Sequence, residues 1–485
     1  MSIQDFEPVI GLEVHVQLRT KSKIFCGCST QFGTEANANT CPVCLGLPGS
    51  LPVLNQEALW FGIKVGLAVN AKISDVIKFD RKNYFYPDLP KAYQISQYDK
   101  PVAYQGELNI EYKLKDGKGM IHKRIGITRA HLEEDAGKLL HEGVRDGSWV
   151  DYNRAGIPLL EIVSEPDIRS PEEAYEYLHH LKAVLFYLGV SDCNMEEGSL
   201  RCDANVSVRK IGESKFGTRT EIKNLNSFKA VQKAIQYEIE RQVEAIESGE
   251  KLRQETRLWN EPKGQTVLMR SKEEAHDYRY FPEPDLVPFV VSEEQIKEIR
   301  KNLPELPQAR IARFQTKFSL SDYDAYALVS DKPLADYFED CVKAGGNSKL
   351  ASNWIQTELL GALNERKIPF EKNPIAPAAL VGLIQLIENN TISGKIAKDV
   401  LPLMIDEMKS AEQIVKEKNW IQVTDTKAIE SVVEKVIAAN PTVVEQYKGG
   451  KKQSIGFLVG QVMKEMQGKA NPKLANEVLE RKLNS

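Results

Sequence analysis

The sequence predicts an α+β fold, with a strand-rich part first and a helical part after it. Three observations carry this. Period-two alternation and Gly/Pro/Asn turns dominate up to about residue 290. A rigid, proline-rich stretch, Phe281-Pro-Glu-Pro-Asp-Leu-Val-Pro288, then closes that region. Beyond it, helical periodicity takes over. A length of 485 residues suggests about three domains, and 42% hydrophobic with 27% charged residues suits a folded globular chain.

The first element reads as a strand. Residues 10, 12, 14, 16 and 18 are apolar, and Gly11, Glu13, His15 and Gln17 fall on the other face. Four more strands with polar faces are predicted. Ile127–Glu133 offers Arg129, His131 and Glu133, and Leu159–Glu165 offers Glu161 and Glu165. Leu200–Arg209 offers Arg201, Asp203, Asn205 and Ser207, and Arg219–Lys223 offers Glu221 and Lys223. The clearest helix runs from Pro171 to Leu188, with Ser170 as cap, Glu173 completing a capping box and Gly189 as stop. A second runs from Phe228 to Ser248, capped by Ser227. In the helical part, Pro304 and Pro307 lie near one start, and three prolines in Ile368–Pro377 join helical pieces. The end reads as a hairpin: Ser454 caps one helix, and Asn471-Pro472 starts another.

Charge excludes a globally basic nucleic-acid protein, since 64 Lys+Arg against 68 Asp+Glu leave a net −4. Any such role needs a local basic surface. The segment 448–485 supplies one, with eight bases (Lys448, Lys451, Lys452, Lys464, Lys469, Lys473, Arg481, Lys482) against three acids. The alternative is a merely soluble helical cap. The first residues carry acids and no base, unlike a targeting peptide. The most apolar run, Pro374–Ile387, is short of the ~20 residues a spanning helix needs. Seven cysteines, an odd number, argue against a disulfide framework. A cytoplasmic protein is expected.

Cys26-x-Cys28 and Cys41-x-x-Cys44 are the sharpest local motif. Two close pairs can supply four thiolates to one tetrahedral zinc, leaving no position for water, so the site is structural. The alternative is four reduced, buried thiols. Cys193, Cys202 and Cys341 have no partner spacing.

Other chemistries are disfavoured by what the chain lacks. Pro42 stands where a Gly-x-Cys-x-Gly elbow around Cys44 would need glycine, and there is no Gly-x-Ser-x-Gly, so no glutaminase nucleophile is evident. Neither a P-loop nor a dinucleotide fingerprint occurs. What remains is an acid-rich sheet face. Glu13 and His15 lie side by side on it, and carboxylates with a histidine can hold Mg²⁺ against nucleotide phosphates. Lys82, Arg201 and Lys223 could stabilise phosphoryl charge. A solvated face with ion pairs is the competing reading. The stretch Phe79–Lys91 mixes bases and aromatics, suited either to stacking on a base or to loop packing. His179 and His180 are adjacent on a helix, so shared ligation is not expected.

At this point a resemblance becomes specific. Ile10-Gly-Leu-Glu-Val-His15, Phe79-Asp-Arg-Lys-Asn-Tyr-Phe-Tyr-Pro87, Gln94-Ile-Ser96, His131-Leu-Glu-Glu-Asp-Ala-Gly137 and Glu161-Ile-Val-Ser-Glu-Pro-Asp167 are part of it. So are Glu196-Glu-Gly-Ser-Leu-Arg-Cys-Asp-Ala-Asn205, Lys223-Asn-Leu-Asn-Ser227, Asp277-Tyr-Arg-Tyr-Phe-Pro-Glu-Pro-Asp285, Ile455-Gly-Phe-Leu-Val-Gly-Gln461 and Ala470-Asn-Pro472. In this order, over nearly the whole chain, they resemble the GatB/GatE family of aspartyl/glutamyl-tRNA(Asn/Gln) amidotransferases.

The resemblance implies a fold and a reaction. The fold is an antiparallel-sheet cradle related to glutamine synthetase (1–294, with the zinc knuckle at 26–44), a helical domain (295–408) and a small all-α tail that touches tRNA (409–485). The reaction is ATP-dependent phosphorylation of the side-chain carboxylate of Glu-tRNA(Gln) or Asp-tRNA(Asn), followed by displacement of phosphate by ammonia. That makes the chain part of a carbon–nitrogen ligase with glutamine as amido-nitrogen donor. The ammonia comes from a partner amidase, GatA, and a small GatC completes a heterotrimer. ATP, Mg²⁺ and a structural Zn²⁺ are the implied ligands.

The site residues follow by position. Glu13, His15, Glu133, Glu134 and Glu161 are catalytic candidates, and Glu13, His15, Glu134 and Glu161 form the magnesium set. Lys82, Tyr84, Arg129, His131, Arg201, Asp203, Asn205 and Lys223 are expected to bind substrate and nucleotide, and Lys448, Lys451, Lys452 and Lys464 to bind tRNA. Two other classes stay open: a free-standing ATP-dependent carboxylate–ammonia ligase, and a non-catalytic zinc-containing tRNA-binding subunit.

Overall fold

A computed structural model describes residues 5–113, 119–141, 147–271, 277–421, 426–466 and 470–484. The chain forms two compact units, Met1–Pro307 and Gln308–Ser485.

The first unit is built on strands β1 (Phe6–Gln17), β2 (Lys72–Ile73), β3 (Val76–Ile77), β4 (Asp80–Asn83), β5 (Tyr93–Ser96), β6 (Ala103–Lys113), β7 (Met120–Glu134), β8 (Lys138–Leu140) and β9 (Trp149–Asp151). These are followed by β10 (Pro158–Ser164), β11 (Leu200–Lys210), β12 (Thr220–Leu225), β13 (Glu255–Asn260), β14 (Gln265–Ser271), β15 (Phe281–Pro282) and β16 (Phe289–Val290). Nine strands form one sheet in the order β14-β13-β12-β11-β1-β10-β7-β6-β2. The first strand is therefore central. Ile10, Leu12, Val14 and Val16 are at most 1% exposed, while the alternate residues are half-buried on the opposite face.

Helices α1 (Gln56–Ala68), α2 (Pro171–Leu188) and α3 (Phe228–Glu247) cover the apolar face. At Gly66 of α1, an added Cβ would fall 2.6 Å from that of Ala103, so only glycine lets the helix approach the sheet this closely. Ser170 and Ser227 cap α2 and α3 through the N–H groups of Glu173 and Ala230. The capping box at α2 is corrected. The Glu173 carboxylate accepts from the Arg169 N–H at 2.7 Å and pairs with Lys123 at 2.6 Å. A cation from β7 thus takes the group that would otherwise reach back to Ser170.

An entirely antiparallel sheet is also corrected. The sheet is mixed, because β12 runs parallel to β13. The 20-residue α3 carries the chain back along the sheet, so the next strand enters in the same direction. Of the predicted strands, the one at 127–133 is the end of the longer β7.

The helices of the second unit start with Pro307–Phe318, at the boundary, and include Pro377–Glu388, which begins at the third of the three prolines. The tail has its own core of Ile429, Val433, Val436, Leu458, Val462, Val478 and Leu479. Asn471 accepts from Lys473 and Leu474 at the start of the last helix, Pro472–Asn484. Ser454 does not cap its helix. It is already in helical conformation after a short 3₁₀ turn, and a capping side chain needs extended backbone. Among the described residues, no helix is long and apolar enough to cross a membrane.

Candidate functional site

The register of the central strands gathers the predicted polar residues into rows. His15 is opposite Arg201 on β11 and Glu161 on β10, and Glu161 is opposite His131 on β7. Four adjacent strands therefore place Arg201, His15, Glu161 and His131 side by side on the face away from the helices. The next row holds Asp203 opposite Glu13.

The distances are short. Glu161 Oε2 lies 3.5 Å from His15 Nε2 and 3.3 Å from His131 Nε2, and Glu133 Oε2 lies 3.7 Å from His131 Nε2. Burial works against charge at all four groups, but mutual attraction prevails. Burial would depress His131, yet Glu161 and Glu133 push it up to about 9. His15 is raised against its burial by Glu161. Glu161 is held well below the usual carboxylate range by His131 and His15, and Glu133 is lowered by Lys82 and His131. Lys82 is raised in turn by Glu133. The His131 Nδ1 is buried without a hydrogen-bond partner among the described residues, as is the Arg129 Nε.

Two groups have ligand atoms within 4.8 Å of one another: His15, Glu133 and Glu161, and separately Glu13, Asp203 and Glu221. Hard carboxylate oxygens with one imidazole suit a divalent cation of the Mg²⁺ type, which keeps open positions for water and phosphate. The structure thus divides the expected magnesium set. His15 and Glu161 share one group, and Glu13 stands in the other, two residues along β1. Glu134 joins neither: it pairs with Lys91 at 2.5 Å and accepts from the Ile95 N–H. Strand parity explains this, because 133 and 134 point to opposite sides of β7. In the second group, Asn205 donates to Glu13 at 2.9 Å, Lys223 contacts Asp203 and Glu221, and Thr256 donates to Glu221.

A cleft of about 1380 Å³ opens beside these rows. Its lining includes Tyr84, Lys91, Asp135, Arg154, Arg201, Lys223, Tyr278 and Arg279. Arg201 and Arg154 both face Asp135, at 2.9 and 3.8 Å. One wall is aromatic: Tyr84 lies edge-on to Tyr278; behind it Tyr280 lies edge-on to Tyr278 and stacks on Tyr98 with centroids 4.3 Å apart. Lys82 sits over Tyr278 at 5.2 Å. A clamp missed by sequence reasoning holds this wall. Arg81 donates twice to Glu283, at 2.6 and 2.8 Å, and ties 281–283 to β4. Both partners lie inside motifs of the family resemblance, but their separation of about 200 residues gave no local signal.

The four thiols also converge. Cys26, Cys28, Cys41 and Cys44 have sulfurs within 4.8 Å of one another, and all are free. Tetrahedral zinc at a Zn–S of ~2.3 Å needs sulfurs about 3.8 Å apart, so the set fits with little adjustment. The Cys44 sulfur is lowered to about 4, first by the hydrogen bond from Cys26, although burial opposes this. Burial raises Cys28 to about 11. The knuckle is tied down by Asn37 and Asn39, which contact Val150, Asp151 and Asn153. Cys193, Cys202 and Cys341 are buried singly.

The two adjacent histidines do different packing work. His180 Nε2 accepts the Glu111 N–H, while His179 packs on Tyr175 and Phe228 and is lowered to about 4 by burial. Lys448, Lys451, Lys452 and Lys464 are all exposed. The first three share one loop, but Lys464 lies at the far end of Ile455–Glu465, roughly 14 Å along the axis at 1.5 Å per residue. Arg481 and Lys482 pair with Glu430 and Glu434 and so contribute little free positive charge. Lys469 lies outside the described residues.

Comparison with known proteins identifies the family. A family model described as the GatB/GatE catalytic domain matches residues 8–297, and one described as the GatB domain matches 336–483. The chain belongs to the GatB/GatE family. It is 57% identical over 484 residues to the B-type subunit of the aspartyl/glutamyl-tRNA(Asn/Gln) amidotransferase of Carboxydothermus hydrogenoformans, covering 99% of each chain. Identity to the proteins of the same name from Trichlorobacter lovleyi and Crocosphaera subtropica is 58% and 53%, covering 99% of this chain and 99% and 98% of theirs. All the catalytic candidates lie within the GatB/GatE catalytic match, and the exposed tail lysines lie within the second.

Proposed function

We propose that this chain is the ATP-using subunit of a tRNA-dependent amidotransferase. It activates the side-chain carboxylate of Glu-tRNA(Gln), Asp-tRNA(Asn) or both by phosphorylation, and ammonia then displaces the phosphate. The observation that carries this reading is the row Arg201–His15–Glu161–His131 beside a cationic, aromatic-walled cleft. A carboxylate is a poor electrophile, and its approach to ATP brings two anions together.

The residues supply what that encounter needs. Glu161, Glu133 and His15 are placed to hold Mg²⁺, with Glu13, Asp203 and Glu221 as a second set. When bound, the ion draws phosphate oxygens together and offsets their charge. Lys82, Arg201 and Lys223 face the same region and can receive phosphoryl charge. Tyr84, Tyr278 and Tyr280 offer a surface on which a base can stack.

We assign the chemistry to residues 1–294, in a cradle related to glutamine synthetase. Residues 295–408 are a helical domain, and 409–485 meet tRNA through Lys448, Lys451, Lys452 and, separately, Lys464. A partner amidase, GatA, with GatC, supplies ammonia. The four cysteines hold a structural zinc. The deciding experiment is amidation of Glu-tRNA(Gln) and Asp-tRNA(Asn) with ATP and ammonia, with and without the two partners. Amidation that needs ATP and charged tRNA supports the reading. Amidation of free glutamate or aspartate by the chain alone would favour a free-standing ligase instead.

A further inference from the structure

We propose that Lys23 is the buried counter-cation of the four-cysteine site, donating to the Cys44 sulfur and offsetting the charge of a zinc-bound tetrathiolate. The inference rests on reading the four cysteines as zinc ligands, and it concerns a residue outside every cysteine motif.

Lys23 is 1% exposed and ranks among the largest fully buried side chains. Lysine is almost never buried unless its charge is paired. Its Nζ has two acceptors among the described residues, the Tyr152 carbonyl at 3.2 Å and the Cys44 sulfur at 3.7 Å. Among those residues no carboxylate is within ion-pair distance of it. The Glu134 carboxylate, which lies beside the same face of Gly156 as the Lys23 stem, is bound by Lys91. A neutral carbonyl cannot balance an ammonium, and of the two acceptors in contact only the Cys44 sulfur can carry negative charge.

Four neutral thiols would leave Lys23 without a counter-charge. Four thiolates around Zn²⁺ carry a net −2, and a single adjacent ammonium halves it.

The backbone fixes this placement. Lys23 N donates to the Cys28 carbonyl at 2.9 Å, and Ile24 N donates to that of Gly156. The lysine is therefore held at the base of the first cysteine pair while its side chain reaches the second. Cys44 Sγ also accepts the Cys41 N–H at 3.2 Å, so two N–H donors converge on one sulfur. Donors of this kind, one step removed from the metal, tune affinity and the electron density on the ligand.

The test compares the full-length chain with Lys23→Met, which keeps length without charge, and Lys23→Arg, which keeps the charge. Zinc content, zinc transfer to a competing chelator and the sulfur-to-cobalt charge-transfer band of the Co²⁺-substituted protein are the readouts. Lys23→Met is expected to bind one zinc about 10–100-fold more weakly. Its Co²⁺ band should move to lower energy, because the Cys44 sulfur gains electron density, and Lys23→Arg should restore part of both. Wild-type affinity and an unshifted band in Lys23→Met would overturn the inference. Should Lys23→Met be insoluble, Lys23→Gln replaces it, with the same shift expected and an unchanged band again decisive against. A wild-type chain that takes up neither zinc nor Co²⁺ would refute the zinc reading itself, a result distinct from a zinc site indifferent to Lys23.

Discussion

The guanidinium of Arg201 makes two hydrogen bonds to Asp135, at 3.2 and 2.9 Å, while its backbone stands directly opposite His15. A cation beside the histidine–glutamate row is thus aimed by a carboxylate at 3% exposure. Lysine cannot reproduce a two-pronged contact. Arg201→Lys is expected to lower kcat/KM for ATP about 10-fold, in line with the loss of one charge-assisted hydrogen bond. Steady-state kinetics at saturating charged tRNA and ammonia check this, and unchanged kcat/KM would remove Arg201 from the nucleotide site.

His15→Ala and Glu161→Gln should each reduce ammonia-dependent amidation more than about 100-fold, beyond the range seen when only an outer metal partner is lost. Glu13→Gln should do the same through the second carboxylate group. Binding of charged tRNA should survive in all three. Near-wild-type amidation in all three would rule out these rows as the site of activation.

Glu133 and Glu134 should separate cleanly. Glu133→Gln is expected to impair both chemistry and stability, since it removes the charge that buried Lys82 and His131 face, whereas Glu134→Gln should spare the chemistry. Glu134→Gln breaks a pair whose side chains are only 6% and 8% exposed, at a cost of about 3–5 kcal/mol. Urea unfolding beside amidation rates distinguishes them, and a stability loss confined to Glu133→Gln would contradict the geometry.

Much of this was legible in the sequence, because period-two alternation decides which residues share a face. Glu13, His15, Arg129, His131, Glu161, Arg201 and Asp203 were placed by parity alone, and parity also separates Glu134 from Glu133. Register was not legible. Alternation cannot say that His15 meets Glu161 rather than Val163, nor that Glu13 and Glu161 fall into different groups. The long strand β6 was overlooked although Gln105, Glu107, Asn109, Glu111 and Lys113 alternate with less polar residues and Pro101 and Asp116-Gly117 flank it. Lys23, Glu221 and the Arg81–Glu283 clamp owe their roles to partners distant in the chain.

That clamp gives a further test. Glu283 is 2% exposed and Arg81 lies over the Tyr93 ring at 4.4 Å. Glu283→Leu alone should cost about 1.5–3 kcal/mol, since it takes two charge-assisted bonds from a half-buried guanidinium that keeps only Asp285, whereas Arg81→Met combined with Glu283→Leu should cost clearly less. A double-mutant cycle by denaturant unfolding measures the difference. Additive losses would mean the two side chains act independently.

In the tail, changing Lys448, Lys451 and Lys452 together to alanine should weaken tRNA binding and lower its log–log salt slope by about 2–3, at up to ~0.9 per phosphate contact. Changing Lys464 alone should lower it by no more than about 1. Binding measured across a salt series decides this, and an unchanged slope in the triple variant would mark the loop as a solvated surface.

The position of β1 has a consequence for synthesis. The first strand made is the middle strand of the finished sheet, and its partners β10 and β11 begin at residues 158 and 200. On a ribosome adding 5–20 residues per second, β1 waits roughly 10–40 s for β11. Until β10 emerges both of its edges are open, and until α2 and α3 follow α1 its apolar side lacks the full helix layer, the condition under which strands pair wrongly. The alternating charged and polar residues that later build the site are then all that keeps the nascent strand soluble. A chain released before residue 200 has His15 and Glu161 but no strand to hold Arg201, so the reactive face is completed only by the last third of the unit to emerge.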